Sequence, residues 1–261
     1  VFYLGAGLAL ILLPLVPLLM PEPINAILHR RPARALEKLN KSLRAFGHAP
    51  VDALPPVDTS IPKARVADLF GPELRAVSLL LLLSYFSHIL TFYFVLKWVP
   101  KIVVDMGFPA SAAGGVLVWA NVGGLLGALL LSLLTWRVNV RSLVVGALFL
   151  STAMVTLFGQ GQSDLAQLSL IAAVAGFCTN AGVVGIYAII AASFPTVVRA
   201  GGTGFVIGVG RGGAALGPIV AGLMFASGLG LSVVAFCMAL GSVVGAVALI
   251  LMRRPAAAES H

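Results

Sequence analysis

The chain has 261 residues, 59% of them hydrophobic and only 10% charged, and its mean hydropathy is +1.04. Soluble domains carry about 25% charged residues, so no water-soluble core fits, and the chain reads as an all-α integral membrane protein. Its formal charge is +8, from 17 Lys and Arg against 9 Asp and Glu. These basic residues lie between apolar stretches, not in one patch, which argues against nucleic acid as a partner and follows the positive-inside pattern.

Val1 opens inside an apolar run, with no basic n-region or cleavage site. A signal peptide is therefore not expected, and the sequence is expected to be part of a longer protein. Apolar windows of about 20 residues mark transmembrane helices. Seven are predicted, over 2–20, 76–97, 111–135, 142–160, 165–193, 201–226 and 230–252. Residues 1–20 are thus one span, 21–75 a polar loop, 76–252 a six-helix bundle and 253–261 a tail.

The polar loop has internal pattern. Leu36, Leu39, Leu43 and Phe46 recur at helical spacing, with Arg34, Lys38, Lys41 and Arg44 between them. That predicts a short basic amphipathic helix, suited either to anionic lipid or to packing under the bundle. Pro50, Pro55, Pro56 and Pro62 then predict an extended linker. The loop carries Arg30, Arg31, Lys63, Arg65 and Arg75 as well. Arg137 and Arg141, Arg199, and Arg253 and Arg254 fall on the same side as the loop, against only Lys97 and Lys101 opposite. The loop and C-terminus are therefore expected in the cytoplasm.

One span, a long basic loop and six more spans match the second half of a twelve-helix transporter. Four segments carry a resemblance: Pro21-Glu-Pro23, Tyr93-Phe-Val-Leu-Lys-Trp98-Val-Pro100, Asn121-Val-Gly-Gly-Leu-Leu-Gly127, and Arg199-Ala-Gly-Gly-Thr-Gly with Gly208-Val-Gly-Arg211-Gly-Gly. On these the chain resembles the major facilitator superfamily, and within it the aromatic acid/proton symporters, from helix six onward. There is one departure: Trp136, before Arg137, stands where the superfamily's helix eight–nine loop has an acid. The resemblance implies proton-coupled uptake of small aromatic carboxylates across a bacterial inner membrane. It also implies a missing N-terminal half of the same transporter as partner, and a role in carboxylate transport for arginines at the positions of Arg199 and Arg211. The alternatives are a facilitator for a sugar, a drug or another organic anion, and a transporter-like sensor or assembly subunit.

Read from the residues themselves, Arg211 is the outlier. It lies within the glycine-rich span 201–226, where a guanidinium costs about 2.5–3.5 kcal/mol and cannot shed its proton. It is either a counter-charge in a cavity or a lock between helices. Gly204, Gly208 and Gly212 recur every four residues beside it and are expected chiefly to pack another helix. Arg199, at a span end, also fits simple positive-inside bias.

His88 is the one histidine within a predicted span. It suits a proton carrier or a hydrogen bond between helices. Phe92 shares its helix face with Tyr85 and His88. Asn121 and Asn180 read as interhelical glue or, less simply, substrate contacts. Trp98 and Trp136 fit an interfacial belt, while Trp119 could face lipid or a cavity. Cys178 and Cys237 read as packing residues. No acid lies inside a span, so protons, if coupled, need carriers in the other half. Metal-binding, cofactor and hydrolase motifs are absent from the sequence, and no enzymatic activity is expected.

Overall fold

The computed structural model describes residues 7, 10, 12–14, 27–28, 33–54 and 66–252. The predicted first span, the prolines at 55, 56 and 62 and the 253–261 tail lie wholly or largely outside these. The chain divides into two units, Val1–Pro62 and Lys63–His261.

In the first unit, α1 spans Ala35–Ala45, where the amphipathic pattern predicts a helix. Ala35 and Leu39 are buried with Ile27, and Leu28, Leu43 and Leu54 pack around them. Phe46 stands 59% exposed, because the helix stops before it: Gly47 turns to φ 76 and the His48 amide donates to the Leu43 carbonyl at 2.8 Å. That is the left-handed cap glycine supplies. The Asn40 amide then fastens the returning chain, donating to Val51 O at 2.9 Å and accepting from Val51 N at 2.8 Å.

The second unit is helical throughout its regular elements. A 3-10 turn, Val66–Phe70, leads to α2 (Arg75–Asp105), α3 (Ala110–Leu134), α4 (Val140–Phe158), α5 (Leu165–Ser193), α6 (Arg199–Gly210), α7 (Gly212–Ala226) and α8 (Leu231–Leu251). Counting α6 and α7 as one, six helices are long and apolar enough to cross a membrane. Their ends fall close to the predicted ones, except that α2 runs two turns past residue 97, through Pro100. Val99, Ile102 and Val103 are buried in that extension. Their burial outweighs the backbone hydrogen bond that Pro100 removes.

Helices α3 and α5 share the broadest contact, and glycine makes it possible. A Cβ on Gly176 would stand 2.0 Å from the Ala120 carbonyl oxygen, and one on Gly127 would stand 2.1 Å from that of Phe177. Backbones meet directly there, as small residues allow in lipid. Helix α7 lies on α2 in the same way, through Gly213 and Gly217 against the Phe86 and Leu90 carbonyls.

Two apolar cores stack along the bundle. Between them runs a polar layer. On α2, Ile89 belongs to one core and Phe94 to the other, with His88 and Thr91 at the junction. On α4, α5 and α8 the junction residues are Ser151, Thr179 and Ser242. All five are at most 1% exposed.

Candidate functional site

The α6–α7 break builds the site. Gly208, Gly210, Gly212 and Gly213 surround Arg211, and Pro218 follows. Glycine weakens the helix, and Pro218 has no N–H for the Ala214 carbonyl. The chain interrupts its helix at Arg211, whose carbonyl accepts from the Ala214 amide three residues on, at 2.9 Å. Arg211 is exposed. Its guanidinium interacts with the hydroxyls of Tyr187 and Tyr85, which bond each other at 2.9 Å. Among the described residues no acidic side chain pairs with it.

The expected packing role of Gly204, Gly208 and Gly212 is corrected. A methyl group added at Gly204 or Gly208 would meet nothing within 4 Å, and one at Gly212 would make only an ordinary contact with Phe86. They share the open face of Arg211. Besides Gly213 and Gly217, the glycines that admit neighbours here are Gly202, against the Phe194 ring, and Gly210, against the Tyr85 ring at 2.3 Å.

Phe92, Asn121 and Asn180 converge on one small recess between α2, α3 and α5, with Thr179 and Leu117. Both amides donate to their own helix, Asn121 to Leu117 O at 2.8 Å and Asn180 to Gly176 O at 3.1 Å. The interhelical reading of these asparagines is therefore not realised. Gly124 leaves the room that Asn180 occupies, since a Cβ there would stand 2.2 Å from the Asn180 amide nitrogen.

His88 is fully buried. Its Nε2 lies 2.9 Å from Thr179 O and its Nδ1 2.9 Å from Ser242 Oγ. A carbonyl only accepts, so Nε2 carries the proton and Ser242 donates to Nδ1. Ser151 Oγ adds a contact to Ser242 at 3.3 Å. The ring thus ties α2, α5 and α8, with α4 joined through Ser151. Gly182 gives it space, because a Cβ there would meet Nε2 at 2.6 Å.

Arg199 sits twelve residues before Arg211, roughly 18 Å along a helix, and its Nε donates to Phe194 O at 3.1 Å. Trp98 is part-buried rather than purely interfacial: it donates to Pro218 O at 3.3 Å and packs tilted against Phe225, ring centroids 4.8 Å apart. Trp119 is 55% exposed and Trp136 86%. Cys178 is buried and Cys237 exposed.

Tyr187 is the member the sequence reading missed. The signal was present: Asn180, Val184 and Tyr187 recur at i, i+4 and i+7, one helix face, and a phenol hydroxyl is the one polar tip in Gly185-Ile-Tyr-Ala-Ile-Ile190.

Comparison with known proteins agrees with this architecture. The chain is similar to the 3-(3-hydroxy-phenyl)propionate transporter of Escherichia coli (strain K12), 35% identical over 71% of this chain and 46% of that protein. It is 28% identical to the gallate transporter of Pseudomonas putida, over 94% of this chain and 55% of the relative. To the benzoate transport protein of Acinetobacter baylyi it is 27% identical, over 85% and 48%. The chain spans about half the length of these curated relatives. Residues 81–261, most of the chain, match the Major Facilitator Superfamily. The chain belongs to that superfamily of membrane transporters and is not an enzyme.

Proposed function

We propose that this chain forms the C-terminal half of a proton-coupled symporter that takes up small aromatic carboxylates by alternating access. The observation that carries the reading is Arg211: a permanent cation, exposed at a helix break, beside two tyrosine hydroxyls and lacking an acidic partner among the described residues. A guanidinium offers a planar fork that a carboxylate fills in bidentate fashion. Tyr187 and Tyr85, bonded to each other at 2.9 Å, add hydroxyls beside the anion. Phe92, Asn121 and Asn180 supply an aromatic face and two amides for the ring and its substituents. Discontinuous helices that aim polar groups at a midplane site are the usual device of such transporters. The compounds named for the three relatives all pair an aromatic ring with a carboxylate.

In this reading His88 is a structural knot and Arg199 secures the cytoplasmic end of α6. Asp105, at the very end of α2 and paired with Lys101, is the one acid in the described spans, so in this reading protons are carried by the N-terminal half. We place it in a bacterial inner membrane, in line with its bacterial relatives, and the distribution of Lys and Arg supports the basic loop and C-terminus inside.

The test is Arg211→Lys in the full-length transporter. Lysine keeps the charge and loses the fork. Binding of an aromatic carboxylate weakens by roughly ten- to a hundredfold, as a lost charge-assisted hydrogen bond implies. A neutral analogue without the carboxylate loses little. Equal uptake by Lys and Arg at equal expression, or equal loss for acid and neutral analogue, makes Arg211 a helix lock instead.

A further inference from the structure

A second cationic feature lies apart from Arg211, at the basic end of the bundle. The α3–α4 turn and the cytoplasmic-type ends of α5 and α8 enclose a recess of about 410 Å³, lined by Thr135, Asn139, Arg141, Ser193 and apolar neighbours up to Met252. That volume is in the range of small-molecule sites. Arg141 is half-buried at its wall. One of its five donors is used on the Ile250 carbonyl at 2.9 Å, which anchors the head to the C-terminal end of α8. Arg137 stands exposed in the same turn. Among the described residues neither arginine has an acidic partner.

The surroundings say which anion fits. The recess opens where apolar spans end, so its rim is at headgroup depth. Trp136 follows the lining residue Thr135 in the same turn and is 86% exposed, with Leu133 63% and Leu134 38% exposed just before it on α3. An indole at that depth is at home in the interface. The exposed leucines offer acyl chains a path down α3. The recess itself is lined by the Arg141 cation, the Thr135 and Ser193 hydroxyls and the Asn139 amide together with apolar side chains.

We propose that this recess binds the headgroup of an anionic phospholipid, with Arg137 and Arg141 on the phosphate and Trp136 against the glycerol and upper acyl region. The Asn139 NH2 donates to the glycerol oxygens, while the Thr135 and Ser193 hydroxyls, which donate to Ser132 O and Ile189 O, accept from the headgroup hydroxyls. The site would couple the ends of α3, α4, α5 and α8 to the lipid composition of one leaflet.

Native mass spectrometry of the full-length transporter, released from vesicles of mixed phosphatidylglycerol and phosphatidylcholine, tests this. The wild type retains phosphatidylglycerol in preference to phosphatidylcholine. Arg137→Gln lowers that retention about fivefold, the worth of one basic residue near an anionic surface. Trp136→Asp is the second variant: its side chain is outside the core, and a carboxylate there occupies the arginines and repels phosphate. It removes the preference while thermal stability and phosphatidylcholine retention stay unchanged. Soluble glycerol phosphate does not displace the lipid. Equal retention of the two lipids, an unaltered preference in both variants, or displacement by soluble glycerol phosphate each overturns the proposal.

Discussion

At the residue scale, two groups that look alike in the sequence, a cation and a histidine within apolar spans, reach opposite environments. Arg211 is exposed beside tyrosine hydroxyls, while His88 has both ring nitrogens engaged at 2.9 Å in a site without solvent. A proton carrier must exchange its proton with a pathway. His88 has none among its contacts, which are a carbonyl and a serine hydroxyl. His88→Gln in the full-length protein is therefore expected to keep uptake driven by a pH gradient, measured as substrate accumulation against an imposed pH step. His88→Ala removes the side-chain partner of Thr179 O and leaves Ser242 only its 3.3 Å contact to Ser151, and is expected to cost about 1–3 kcal/mol, as for a buried polar group that loses its partner. A thermal melt in detergent reads that loss. A pH response abolished by Gln would return His88 to the proton path.

At the scale of elements, the α3–α5 contact is set by glycine. Gly176→Ala places a methyl 2.0 Å from a backbone oxygen, and backbone cannot rotate away as a side chain can. The helices must part, at about 1–3 kcal/mol for overpacking, with a lower melting temperature. Gly146→Ala is the control: it is exposed on α4 with nothing within 4 Å of the new methyl, and it should leave the melting temperature unchanged or raise it, because alanine is the better helix former. Equal melting shifts for the two variants would mean that α3 and α5 do not meet through these glycines. The α6–α7 break is different in kind. It comes from local chemistry, four glycines and a proline around Arg211, and it tightens one turn there, with the Ala214 amide donating to the Arg211 carbonyl three residues back.

At the scale of the whole molecule, orientation is the property from which the rest of the proposed transport cycle follows. Ser142, after the α3–α4 turn, and Ser163, before α5, are both exposed, at opposite ends of α4. With an impermeant maleimide on intact cells, Ser163→Cys is expected to label and Ser142→Cys to label only after permeabilisation. The reverse pattern would invert the topology. The polar layer between the two apolar cores bears on motion. His88, Ser242, Ser151 and Thr179 join four helices in one hydrogen-bonded set, which favours the bundle moving as a unit when two halves rock about a central substrate.

The sequence alone determined the membrane spans from 76 to 252, because a bilayer demands long apolar helices with satisfied backbones and that demand is written in composition. It also marked Arg211, since a charge among glycines and apolar residues stands out wherever the chain folds. The partners were not legible. Whether Asn121 and Asn180 bond across helices or along their own, and whether His88 meets water or Ser242, depends on helix rotation, and rotation is set by close packing at Gly124, Gly176 and Gly182. Tyr187 joined Arg211 only because α5 and α2 bring the Tyr187 and Tyr85 hydroxyls to 2.9 Å across 102 residues of chain. Periodicity places a residue on a face. Which face meets which neighbour is decided by how the helices fit one another, and only the tertiary structure holds that.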